Sequence, residues 1–309
     1  KWALDKGKSF NRDLFKSKFR FDTRVIWYEI NNDTNPIDTF LRINMGKIPL
    51  TNSELIKALF LQKRNFENAT AELRQIEIAN EWDRMEYAFQ NEDFWWFLNK
   101  DKNDISARIE FLFDFMCDVA KKNQAKLEED IGIDEYATFR FFNNKFSKLI
   151  DYKVVENEWN EVKDYFGAFE EWFTNPIWYH YIGYLIYCGT SIVEIYLMYQ
   201  TSKKDEFLSK LKEKIKKQLS NIKVINIKEE NKTKYIIELP FETKNRVQIR
   251  QLLLLFNVEY IVKQYIKVKE EENSELFIRF PFELFKKESW DIEHIDSYTE
   301  NEITDYSTQ

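Results

Sequence analysis

Turn-making residues are scarce in this chain: of 309 residues, 6 are Gly and 5 are Pro. Average usage of the two together is about 12% of residues, so this backbone has few places to reverse. The expectation is a mainly α protein, a multi-helix, bundle-like body of long helices. One exception stands out, the stretch "IKVINIKEENKTKYIIELPF", whose β-branched runs around a polar turn predict a short hairpin near residues 222–241.

A chain of this length can bury roughly 75% of its unfolded surface, so two domains or one elongated body both fit without cross-links. Cys117 and Cys188 lack metal-type spacing and read as reduced core thiols, which suits a cytoplasmic protein. The opening "KWALDKGKSF" has neither Met nor a signal segment, and reads as the interior of a longer protein. A net charge of −7 with pI near 5.3 supplies no global basic field, so nucleic-acid binding would need a local patch. Aromatic residues make up 17% of the chain, mostly at helical spacing, where core packing is the ordinary explanation and base stacking the alternative.

Residues 176–200, "PIWYHYIGYLIYCGTSIVEIYLMYQ", contain neither Lys nor Arg. A spanning helix needs about 20 apolar residues. Gly189 interrupts this run, Thr190 or Ser191 can cap a new helix, Ser191 and Glu194 have capping-box spacing, and Glu194 would be costly in lipid, so two short buried helices and no membrane contact are expected. His180, set among aromatic residues, reads as a packed core histidine.

Other segments give helices with defined faces. Thr51 and Glu54 form a capping box ahead of a stripe of Leu55, Ile56, Leu59 and Phe60. The loop before that helix carries Arg42, Asn44, Gly46 and Lys47; it is either a plain junction or an anion cradle using free helix N–H groups. Trp82, Met85, Glu86 and Phe89 recur at helical spacing, and "NED" then breaks the helix; Asp83 and Glu86 are solvated charges or a shared cation site. Ile105, Ile109, Leu112, Phe113 and Met116 mark another helix. Over residues 203–223, Phe207, Leu208, Leu211, Ile215, Leu219 and Ile222 share one face while lysines occupy the others. Lys212, Lys216 and Lys217 could contact phosphates, although a solvated helix surface is the ordinary reading.

Five segments, "FLRINMGKIPLTNSELIKALFL", "EWDRMEYAFQNEDFWWFL", "RIEFLFD", "IRQLLLLFNVEYI" and "RFPFELFKKESWDIEHID", resemble in order and spacing the GmrSD-type modification-dependent restriction endonucleases. The resemblance implies three parts: residues 1–68 as the end of a ParB- and sulfiredoxin-like nucleotidase domain with its connection, 69–280 as a helical middle, and 281–309 as the truncated start of an HNH nuclease. It implies His294 as general base and Glu293 as a metal-side carboxylate, with Arg42, Asn44 and Lys47 near a nucleotide phosphate. The implied cofactors are a divalent metal, Mg or Mn, and a nucleoside triphosphate; neither is expected to bind tightly to this stretch alone. The implied partner is modified or phage DNA, and a homo-oligomer is compatible with it. The family's Asp-Gly-Gln-Gln-Arg motif is absent and no second histidine follows His294, so this polypeptide by itself is not expected to cut DNA. A helical interaction or scaffold module without catalysis is the competing expectation.

Overall fold

A computed structural model of the chain describes residues 11–24, 50–62, 65–66, 69–100, 107–146, 152–220, 222, 224–229, 232–237, 239, 245–270, 278–288 and 290–292. Contacts divide the chain into two units, Lys1–Leu50 and Thr51–Gln309. In the first, helix α1 (Arg12–Ser17) starts where the Asn11 Oδ1 accepts the amides of Asp13 (3.1 Å) and Leu14 (2.9 Å), and it runs on as a π-helical turn, Lys18–Asp22.

The second unit is a body of helices. In chain order they are α2 (Asn52–Phe60), α3 (Ala69–Phe89), α4 (Glu92–Leu98), α5 (Glu110–Asn123), α6 (Leu127–Ile131), α7 (Ala137–Phe146), α8 (Tyr152–Thr174), α9 (Pro176–Tyr187), α10 (Ile192–Gln200), α11 (Lys204–Gln218), α12 (Arg246–Glu270) and α13 (Phe282–Lys287). The long helix α8 is central and packs on α3, α4, α5 and α9; α9 also meets α4, α11 and α12.

Local chemistry sets several of the helix starts. Thr51 and Glu54 make the reciprocal capping box expected of α2. Asn91 caps α4 by accepting the Phe94 amide at 3.0 Å. Asn175 caps α9, and Pro176 sits in its first turn, where a missing N–H costs nothing. Asn52 acts at longer range: its amide nitrogen donates to Glu110 and to the Glu135 carbonyl, while its oxygen accepts the Phe139 amide at 3.2 Å in the first turn of α7. One buried amide therefore ties three helices together.

The core is aromatic throughout. Phe60, Trp82, Phe113, Phe142 and Trp159 interlock near α2, α3, α5, α7 and α8, with Trp82 and Trp159 stacked at 6.1 Å. A second cluster joins Phe89, Phe94, Phe111, Phe166 and Phe173, and a third gathers Trp172, Trp178, Tyr196, Tyr199 and Phe207. Ring pairs in edge-on or offset contact add about 0.5–1.5 kcal/mol each beyond burial. Arg74 closes the α3–α8 seam with a two-pronged bond to Glu156, at 2.9 and 3.0 Å.

Gly189 divides residues 176–200 as anticipated. Its φ of +91° lets its own amide reach the Ile186 carbonyl (3.0 Å) and the Thr190 amide reach the Leu185 carbonyl (2.9 Å), a double closure that ends α9. Among the described residues no helix is long and apolar enough to cross a membrane.

Two expectations need correction. Ser191 stands at the N-cap of α10 but makes no side-chain capping bond, and the Glu194 carboxylate that would complete the box pairs with Lys214 on α11. The short hairpin expected near 222–241 does not hold over those bounds: the fold is a helical bundle, and the only extended pairing among the described residues is an antiparallel ladder between β1 (Val224–Glu229) and β2 (Lys232–Ile237). Residue 222 lies ahead of the ladder, its amide bonded to the Leu219 carbonyl at 3.0 Å.

Candidate functional site

Helix α13 lies seven to twelve residues before the histidine singled out by sequence, and its anchoring is dense. It begins after Pro281, which fixes the entry, and its apolar residues Phe282 and Phe285 are buried. The Phe282 ring lies directly on Gly183 of α9: a Cβ there would stand 2.3 Å from Phe282 Cε2. A glycine inside an otherwise apolar helix thus marks a ring-on-backbone contact.

Hydrogen bonds hold the same segment from both sides. The Phe280 amide donates to His180 Nε2 at 3.0 Å, and the Phe280 carbonyl accepts from the Tyr179 hydroxyl at 2.9 Å. His180 Nδ1 faces the Pro176 carbonyl at 2.5 Å, so the ring is neutral with its proton on Nδ1. Burial, with some help from the Arg279 cation, pushes the His180 pKa down to about 4. The ring is therefore a structural acceptor at neutral pH, as the core reading of His180 expected.

Lys286 donates to the carbonyls of Trp96 (2.5 Å) and Asn99 (2.6 Å), closing the C-terminal end of α4. Lys287 pairs with Glu92 at 2.7 Å, and Arg108 meets the same carboxylate at 2.6 Å. These two cations, Lys287 first, hold Glu92 down at about 2. Beyond α13, Trp290 packs on Phe280 and Phe285, and Asp291 meets Arg246 at 3.1 Å. The chain is thus fixed to the helical body up to two residues before Glu293.

Glu293 and His294, and likewise Arg42, Asn44 and Lys47, lie outside the described residues. Lys212, Lys216 and Lys217 are exposed on α11. Lys212 stands over the Tyr181 ring at 5.9 Å, while Lys216 and Lys217 occupy the last turn, where cations suit the helix dipole. Neighbouring lysines are engaged with carboxylates, Lys204 with Glu171, Lys210 with Glu206 and Lys214 with Glu194. Asp83 takes Lys57 at 2.9 Å. No group of three or more His, Cys, Asp and Glu placed to hold a metal occurs among the described residues.

Sequence reading passed over one further feature, an apolar cleft of about 370 Å³ where the ends of α3 and α8 meet the start of α4. Tyr87, Ala88, Phe94 and Phe173 line it, and Arg84, Asn91 and Glu170 stand around it. The helix-capping Asn91 was its only trace in the sequence. In comparisons with known proteins, no family model, curated protein or solved structure matches this chain.

Proposed function

We propose that this chain is the helical coupling region of a nucleoside-triphosphate-dependent restriction endonuclease, acting in the cytoplasm on modified or phage DNA in anti-phage defence. The reading starts from the five resembling segments and from the dyad Glu293 and His294. The structural observation that supports it is the anchoring of Phe280–Lys287: a polypeptide pinned by His180, Gly183 and the end of α4 gives whatever follows a fixed point of departure. A nuclease motif built there would follow the helical body and sense its rearrangement. In this reading His294 accepts the proton of the attacking water and Glu293 belongs to the side of a divalent ion.

The test uses the chain in its natural flanks, with modified or phage DNA, Mg²⁺ or Mn²⁺ and nucleotide. Cleavage that His294→Ala abolishes supports the proposal; absence of such cleavage ends it. Replacing Lys212, Lys216 and Lys217 with Gln should weaken DNA binding and flatten its salt dependence if α11 meets phosphates.

A second reading, a helical interaction module, is favoured by the outer face of α12. Leu253, Phe256 and Tyr260 are 46%, 71% and 58% exposed at helical spacing. Concentration-dependent association that Phe256→Glu removes, without nuclease activity in the flanked protein, would select it.

A further inference from the structure

The cleft at the α3–α4–α8 junction has the chemistry of a ring-binding site. Phe94 and Phe173 meet edge-on at 5.1 Å to form one wall. Tyr87 is 80% exposed at the rim, and Ala88 leaves room beside it. An aromatic ring held this far into water beside two other rings is a stacking surface awaiting a flat partner.

The polar groups around the cleft recognise an edge rather than a charge. Asn91 uses its oxygen to cap α4, which leaves its amide nitrogen to donate. Glu170 offers acceptors, and its pairing with Arg84 across the rim is long, 3.4 Å, and exposed, so water or a ligand can replace it. Because Arg84 and Glu170 cancel in charge, a bare anion gains little at the centre. A second guanidinium, Arg279, stands over the Phe173 ring at 5.0 Å and reaches the Thr174 carbonyl at 3.4 Å. The Asn91 amide and the mutually paired Glu170 and Arg84 line the cleft, and Arg279 lies against Phe173. A donor, an acceptor and no net charge beside aromatic walls suit a neutral heteroaromatic ring carrying amino and carbonyl groups.

We propose that this cleft binds one unpaired nucleobase of a single-stranded nucleic acid, stacked against Tyr87 and read along its edge by Asn91 and Glu170. Naming nucleic acid as the source of the ring rests on the function proposed above; the shape and chemistry of the cleft do not. A paired base hides its faces in the duplex, so only an unpaired one can enter.

The probe is a short fluorescent single-stranded oligodeoxynucleotide, compared by anisotropy with an abasic strand of the same length. Stacking of one base corresponds to about a tenfold change in affinity. The base-bearing strand should bind about tenfold more tightly than the abasic one. Tyr87→Ala should remove that advantage and Tyr87→Phe should keep it. Ala88→Leu, which fills the cleft, should act like Tyr87→Ala, while binding of the abasic strand stays the same for all three. Equal binding of the two strands by the unaltered chain overturns the proposal, as does an unchanged advantage in Tyr87→Ala. Tyr87 is largely exposed, so its substitution leaves the fold intact. Cleavage dependent on His294 is scored separately, so failure of one proposal is distinguishable from failure of the other.

Discussion

Acid should loosen this protein through His180 before its carboxylates are fully protonated. The ring is fully buried and accepts the Phe280 amide at Nε2. A second ring proton would confront that amide N–H, so the charged form has no place in the folded state. Burial sets the folded pKa at about 4, below the ordinary histidine value of 6.5. The sign follows directly: between those values the unfolded chain binds a proton that the folded chain refuses, so stability falls as pH falls from 6.5 towards 4. With about 1.4 kcal/mol per pKa unit, the loss attributable to this ring is about 2 kcal/mol by pH 5 and about 3 kcal/mol by pH 4. Urea unfolding at pH 7, 5 and 4 would measure it by comparing the unaltered chain with His180→Gln, whose side-chain oxygen can still accept the Phe280 amide. The difference between their pH slopes isolates the ring from the acid response of the carboxylates. Parallel slopes would refute the reasoning. So would NMR titration of the ring with a midpoint near 6.5; with two histidines in the chain, one His294→Ala sample suffices to assign it.

Other perturbations follow from the same packing. Gly183→Ala should cost about 1–3 kcal/mol, because its methyl meets the Phe282 ring, and hydrogen exchange over 280–287 should accelerate; Phe282→Leu in the same chain should recover part of the loss. Asp114→Asn should stabilise the protein at alkaline pH. Burial raises the folded Asp114 pKa to about 6 despite the Thr138 hydrogen bond, so the native carboxylate is a liability that grows as pH rises from about 4 through 6. The gain should be about 2 kcal/mol at pH 8 and vanish below pH 4 in thermal or urea melts. Arg74→Ala should cost about 2–4 kcal/mol in urea unfolding, since it leaves Glu156 partly buried without its two-pronged partner.

The helical body was legible because its signals are local. Few glycines and prolines, a Thr51–Glu54 box, an Asn91 break and a Gly189 interruption are each written within about four residues, and each produces the expected feature. Ser191 and Glu194 show where local reading fails: the spacing is right, but a lysine 20 residues later on another helix competes for the carboxylate. The anchoring of Phe280–Lys287 could not be read for the same reason. Its partners, His180, Gly183, Trp96 and Asn99, stand about 100 to 190 residues away in sequence and meet only after folding. The aromatic cleft is likewise made of helix ends. Tyr87 and Phe173 look in sequence like any other core aromatics of α3 and α8 and differ only in what fails to cover them.

Lys286 completes a helix that was made 190 positions earlier in the chain. During synthesis the end of α4 emerges long before its ammonium partner, so the carbonyls of Trp96 and Asn99 remain hydrated until Lys286 follows them. Final consolidation of this region must wait until residue 286 has left the ribosome. A nascent chain stalled before residue 286 should therefore show a protease-sensitive α4 terminus that becomes resistant once the stall is relieved.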